Sequence, residues 1–230
     1  MTKIKKNHKL QWIYKIKLSK KTTKSPKQNQ IIIAGLDEVG RGPWAGPIVA
    51  CAYIETKEIG RIKITDSKQM NFAEREKAYD ILIANGIYGL GLAEPAEIDK
   101  FGLANANRLA FKRAIKALSI RPDLILIDGK DKLTLKNTNE IPFRTIIKGD
   151  SLIKEISCAS IIAKVYRDRL MCEYALQFPQ YKFEKNKGYG TVEHHQLIKK
   201  HGICKIHRKS FKPVFAASFT QALPLEELHD

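Results

Sequence analysis

Three places in this chain set an acid where an apolar run stops. Asp37 and Glu38 follow Ile31-Ile32-Ile33-Ala34-Gly35-Leu36. Asp128 follows Leu124-Ile125-Leu126-Ile127, and Asp150 follows Thr145-Ile146-Ile147. In open α/β sheets, strand ends and the loops after them are where sites assemble. Carboxylates converging there repel one another unless cations lie between them. Oxygen donors with no nearby Cys or His favour Mg²⁺ or Mn²⁺ over zinc. Two such ions, about 3.5–4 Å apart, can activate a water and stabilise the leaving oxygen of a phosphodiester. Taken singly, each acid reads more simply as a turn former or helix cap, Asp150 above all as a cap on a helix from Ser151. Asp37 and Glu38 are adjacent, so a regular strand sends them to opposite faces. Both serve one site only if the strand bends or ends there, a bend that Gly35, Gly40 and Gly42 make cheap.

The elements that must carry these acids are legible in outline. Strands are expected over 31–36, 48–54, 87–93, 124–127 and 143–147. Asn71 is placed to cap a helix over 72–84, Pro95 opens a short helix, and 103–118 fits a longer one. A long helix is expected from Ser151 to about Gln177, stopped by Phe178-Pro179, and another from Thr191 through Lys200, closed by Gly202. Strands alternating with helices imply an α/β architecture, with a mixed central sheet flanked by helices. Gly40-Arg41-Gly42-Pro43-Trp44-Ala45-Gly46 is not a nucleotide-binding GxGxxG loop, because its third Gly is one place late and a strand follows. A tight turn beside the carboxylate pair fits better, with backbone groups able to read a ribose 2′-OH.

Composition narrows the partners. The 230 residues hold 41 Lys and Arg against 24 Asp and Glu, a formal net charge of +17. Residues 1–30 hold ten Lys and no Asp, Glu or Arg, so the other 200 residues carry only +7. An anionic partner is implied, nucleic acid first. No run of about 18 apolar residues exists, which excludes a membrane-spanning helix. Cys51, Cys158, Cys172 and Cys204 form no CxxC; all but Cys204 sit in apolar or helical context and read as reduced core thiols, pointing to a cytoplasmic protein.

Seven motifs in order resemble ribonuclease HII. Gly35 to Pro43, continuing through Ala45 to Ala50, resembles the family's signature. Asp66-Ser67-Lys68, Ile127-Asp128-Gly129 and Lys148-Gly149-Asp150-Ser151 follow. Ala159 to Asp168, Lys187-Gly188-Tyr189-Gly190-Thr191 and His207-Arg208-Lys209-Ser210-Phe211 complete the set. The resemblance implies a ribonuclease H-like fold with a C-terminal helical part. It implies Asp37, Glu38, Asp128 and Asp150 as catalytic, metal-binding carboxylates for Mg²⁺ or Mn²⁺. It implies Gly40, Arg41 and Gly42 on the ribose and phosphates of an RNA–DNA junction, Tyr189 stacking beside them, and Lys68, Lys164 and Arg167 towards phosphates. Asp168 reads as a structural partner of a nearby Arg. His194, His195 and His201 read as surface or packing residues. Gly190 stands where the family usually has Pro, and Gly102 where it often has Asn. The sister family, ribonuclease HIII, usually has Thr in place of Arg41.

The reading is therefore a basic arm over 1–30, a catalytic domain over 31–215 and a tail over 216–230. The expected activity is hydrolysis of RNA in RNA/DNA hybrids and cutting 5′ of single ribonucleotides in duplex DNA, leaving 3′-OH and 5′-phosphate ends. A monomer is expected, with a weak sliding-clamp contact through Gln221 to Leu225 in the tail. Two rivals stand beside this: a junction resolvase of the same fold class, and a non-catalytic nucleic-acid-binding protein held by its basic arm. Four carboxylates facing a phosphate backbone without metal would weaken binding, which counts against the second rival.

Overall fold

The computed structural model describes residues 31–57, 59, 70–129 and 141–219. The arm over 1–30, Lys68 and the segment 221–225 lie outside them. Among the described residues, five strands form one mixed sheet in the order β3-β2-β1-β4-β5: β1 (Ile33–Val39), β2 (Ile48–Glu55), β3 (Gly86–Ala93), β4 (Leu124–Asp128) and β5 (Phe143–Ile146). The β1–β2 and β2–β3 pairs are antiparallel, while β4 joins β1 and β5 in parallel.

Both faces of the sheet are covered, and the period-2 pattern of β2 shows why. Ile48, Ala50, Ala52 and Ile54 point into a core shared with α2 (Pro95–Phe101) and α3 (Leu103–Lys116). Val49, Cys51 and Tyr53 point the other way, onto α1 (Phe72–Asn85) and the long helix α5 (Lys154–Gln177). A strand buried on both faces reads as a continuous apolar run. Gly35 lets α5 press onto β1, since a Cβ there would lie 2.1 Å from the Glu155 carbonyl carbon. A third cluster, around Met171, Tyr181, Phe183, Ile198 and Ile206, holds the C-terminal helical part. That part comprises a 3₁₀ turn (Pro179–Tyr181), α6 (Phe183–Asn186), α7 (Val192–His201) and α8 (Lys212–Phe219), the last running past residue 215.

The caps fall where the side chains direct them. Asn71 accepts from the Glu74 amide at 2.9 Å while Glu74 accepts from the Asn71 amide at 2.9 Å, a reciprocal capping box. Thr191 accepts from the His194 amide at 3.1 Å at the start of α7. One element differs. The expected helix from Ser151 is broken at Ile153, which is extended (φ −123°, ψ 120°) between α4 (Gly149–Leu152) and α5. The break separates a single turn that carries Asp150 from the helix that packs the sheet. Asp150 is therefore not a helix cap: Lys148, in the left-handed region, occupies that place, and Asp150 sits buried in the first turn of α4.

Candidate active site

The register of β1 on β4 pairs Leu36 with Ile127, so the next residues along the two parallel strands are Asp37 and Asp128. Pairing of β1 with β4 stops there, but pairing with β2 continues through Val39. The strand therefore does not end before the acids. Instead Asp37 and Glu38 leave opposite faces of a strand whose β4 side has become free. Asp37 takes a hydrogen bond from Ser160 on α5, and Glu38 takes one from Asn107 on α3. The Asp37 side chain also accepts from the Glu38 amide at 2.8 Å.

The electrostatics show which acids share a neighbourhood. Burial pushes the Asp37 carboxyl well above the usual carboxylate range, and Glu38 and Asp128 push it further. Burial also raises Glu38; Arg41 opposes this, with its Nη1 3.4 Å from Oε1, and Asp128 adds to it. Asp128 accepts from the Gly149 amide at 2.7 Å, which ties the end of β4 to the turn that presents Asp150. The Ser157 hydroxyl in turn donates to the Asp150 carbonyl. Among the described residues no three His, Cys, Asp or Glu side chains close into a metal-sized cage. Three mutually repelling acids at one sheet edge nonetheless suit a divalent cation: the donors are all oxygen, and burial already disfavours their uncompensated charge.

The glycine loop that follows β1 is held from beneath by two buried arginines. Arg208 donates from Nη2 to the Gly40 carbonyl at 2.6 Å and to that of Gly46 at 2.7 Å, from Nε to Gly46 at 2.9 Å, and from Nη1 to Arg41 at 3.1 Å. Arg167 donates to the carbonyls of Pro47, Ala45 and Lys187, each at 3.0 Å. Neither guanidinium has any exposed surface. Burial lowers the Arg167 pKa to about 10; burial, and next the neighbouring Arg167, lowers that of Arg208 to about 9. Arg167, expected towards a phosphate, is fully buried, with each of its nitrogens on a backbone carbonyl of the glycine loop, of Pro47 after it or of Lys187. Gly40 turns the chain with φ +94°, and a Cβ there would lie 2.4 Å from Arg167 Nε.

Tyr189 stands beside this loop. A Cβ on Gly42 would be 3.8 Å from the Tyr189 ring, and 41 % of Tyr189 is exposed. Gly190 does not leave a gap behind it: the Trp44 indole fills the space, and a Cβ on Gly190 would lie 2.1 Å from Trp44 Cε2. Lys164 is paired with Asp168 at 2.8 Å, so Asp168 has a Lys rather than an Arg as partner. Cys172 is exposed, not a core thiol, with Lys187 Nζ 3.0 Å from its sulfur. Asn107 and Arg208 are site residues that the sequence reading assigned no role. The signal for Asn107 was a polar residue inside the apolar stripe of α3, between Ala106 and Ala110; 4 % of it is exposed.

The fold has solved counterparts. Ribonuclease H2 from Pyrococcus horikoshii OT3 matches with a TM-score of 0.70 at 26 % identity, covering 82 % of this chain and 98 % of that one. The structure of the PCNA:RNase HII complex from Archaeoglobus fulgidus matches in fold, with a TM-score of 0.69 at 20 % identity over 79 % of this chain and 95 % of the other. Fold and site together define a ribonuclease H-like α/β hydrolase. The family model described as ribonuclease HII matches residues 34–214. A ribonuclease HII of Syntrophus aciditrophicus (strain SB) is 48 % identical over 182 residues, 79 % of this chain and 84 % of that protein. The chain belongs to the ribonuclease HII family and is a type 2 ribonuclease H, an endoribonuclease.

Proposed function

We propose that this endoribonuclease hydrolyses RNA in RNA/DNA hybrids and cuts on the 5′ side of single ribonucleotides in duplex DNA, leaving 3′-OH and 5′-phosphate ends. The observation that carries the reading is the convergence of Asp37, Glu38 and Asp128 at the free edge of β1, beside a glycine loop and Tyr189. Asp37, Glu38, Asp128 and Asp150 would hold Mg²⁺ or Mn²⁺, which when bound supplies charge stabilisation and an activated water for phosphodiester hydrolysis. Arg167 and Arg208 capture the loop carbonyls from below, so the opposite edge of Gly40, Arg41 and Gly42 is the one offered to a ribose and its phosphates. Tyr189 stacks on the adjoining sugar or base, as exposed aromatics do on nucleic acids. Lys164, one quarter exposed, supplies positive charge along the duplex, as does Lys68. The enzyme acts as a cytoplasmic monomer, and the segment from Gln221 to Leu225 offers a weak sliding-clamp contact.

The test is a DNA duplex holding one ribonucleotide, incubated with Mg²⁺ or Mn²⁺. One cut 5′ of the ribonucleotide is expected, lost in Asp128→Asn. No cut with either ion would refute the reading, and cutting of a four-way junction without ribonucleotides would favour a resolvase.

A further inference from the structure

Behind Tyr189 lies a pair of histidines that the proposed chemistry does not use. His194 and His207 are 0 % and 1 % exposed, enclosed by Trp44, Tyr181 and Phe183. An imidazole pair in such a pocket costs desolvation that an apolar pair would avoid, unless its polar atoms are all used. Here they are. His194 Nδ1 is 2.8 Å from the Tyr189 carbonyl, His194 Nε2 is 3.1 Å from His207 Nε2, and His207 Nδ1 is 2.9 Å from the Cys204 amide. The Cys204 sulfur is also 3.1 Å from His207 Nδ1.

Elementary donor and acceptor rules fix every proton in this chain. A carbonyl only accepts, so His194 Nδ1 carries the hydrogen. The neutral ring then has a bare Nε2, so His207 must donate from Nε2. Its Nδ1 is therefore bare and accepts from the Cys204 amide. Two neutral rings admit no other arrangement. A proton added to either ring would set two N–H groups against each other or against the Cys204 amide. Burial lowers the pKa of both rings, that of His207 to about 3 with His194 adding to the effect.

The relay has a specific output. The Tyr189 carbonyl accepts from His194 and from the Thr191 amide. The two preceding carbonyls are also held, Lys187 by Arg167 and Gly188 by the Trp44 amide at 2.8 Å. The input is His207, whose chain neighbour Arg208 grips the glycine loop. Two consecutive residues thus hold the two halves of the junction-reading surface, one through Gly40 and Gly46 and the other through Tyr189.

We infer that His207 and His194 are positioning residues that fix Tyr189 in register with the Gly40–Gly42 loop through one obligatory hydrogen-bond direction. The inference rests on the proposed role of Tyr189 at the junction. It makes selection of a single ribonucleotide depend on two imidazoles that never touch the substrate.

A double-mutant cycle tests this, read as kcat/KM on the single-ribonucleotide duplex. His194→Leu is expected to lose about tenfold to a hundredfold, the scale of a sub-ångström to ångström misplacement of a contacting group. In a Tyr189→Ala background the same change is expected to add about twofold or less. His207→Gln, which keeps an N–H donor towards His194, is expected to retain most activity, whereas His207→Leu does not. The ¹⁵N shifts of the wild-type imidazoles are expected to show His194 protonated at Nδ1 and His207 at Nε2. Full-strength loss from His194→Leu on Tyr189→Ala, equal behaviour of the Gln and Leu variants, or the reverse tautomers would overturn the inference. If Tyr189→Ala alone leaves cleavage unchanged, the junction role of Tyr189 fails and the relay loses its output, even where the tautomers match.

Discussion

Replacing Arg208 by methionine keeps an unbranched stem that ends where Nε lies, two atoms short of the guanidinium tip, and removes every donor the side chain carries. Three carbonyls, those of Gly40, Arg41 and Gly46, then lose their guanidinium partner. Each buried acceptor left without a partner costs about 1–3 kcal/mol. The sum for buried Gly40 and Gly46, roughly 2–6 kcal/mol, is an upper bound, because the loop can relax and water can enter, as it can at the partly buried Arg41 carbonyl. Relief from burying a guanidinium offsets part of it, and that burial is costly enough to lower the Arg208 pKa to about 9. A net loss of about 3–5 kcal/mol is expected, the range found when one partner of a buried charged network is removed. Against a typical total of about 5–15 kcal/mol this leaves a folded but weakened protein. At about 2–4 °C per kcal/mol the melting temperature falls by about 6–20 °C. Urea unfolding gives the magnitude, and hydrogen exchange of amides 40–46 locates it. Arg208→Lys falls between, since an ammonium keeps the charge but not the planar fork. A loss under about 1 kcal/mol, with the loop still protected, would refute the claim that Arg208 holds it.

Two further outcomes follow from the crowding of side chains. Asp37 has a folded pKa above its unfolded one, so the metal-free protein loses stability as pH rises from the unfolded value through the folded value, where the unfolded chain binds fewer protons. In chelator above that window, Asp37→Asn is expected to stabilise the protein by about 0.5–2 kcal/mol while abolishing cleavage; thermal melts with EDTA check the sign. Gly190→Pro drives a ring into the Trp44 indole, and overpacking of this kind costs about 1–3 kcal/mol. Trp44→Leu in the same chain is expected to recover much of that loss in urea melts.

The parts of this molecule written in local pattern were legible. The apolar runs before Asp37, Asp128 and Asp150 are carried by strands β1, β4 and β5 of the sheet, and Asn71 and Thr191 cap the helices they were expected to cap. What escaped was set by distant partners. Strand β1 runs to Val39, beyond Leu36, because β2 keeps pairing with it through Val49. No bend was needed for Asp37 and Glu38, since Ser160 and Asn107 receive them on opposite faces. Arg167 looks like a surface cation on a helix, yet its three partners lie 20 to 122 residues away. The break at Ile153 was not legible, because the β-branched preference of isoleucine for extended backbone is too small to mark one position against its neighbours. His194 and His207 pair across 13 residues that carry no shared pattern.

The central claim is that the carboxylates at the ends of β1, β4 and β5 form the divalent-cation centre of this nuclease. Calorimetric titration of Mn²⁺ into the metal-free protein, beside Asp128→Asn, tests it without recourse to activity. Saturable binding to the wild type, weakened by about tenfold or more in the variant, is the expected result. Equal binding by both proteins would place the ion elsewhere and contradict the account.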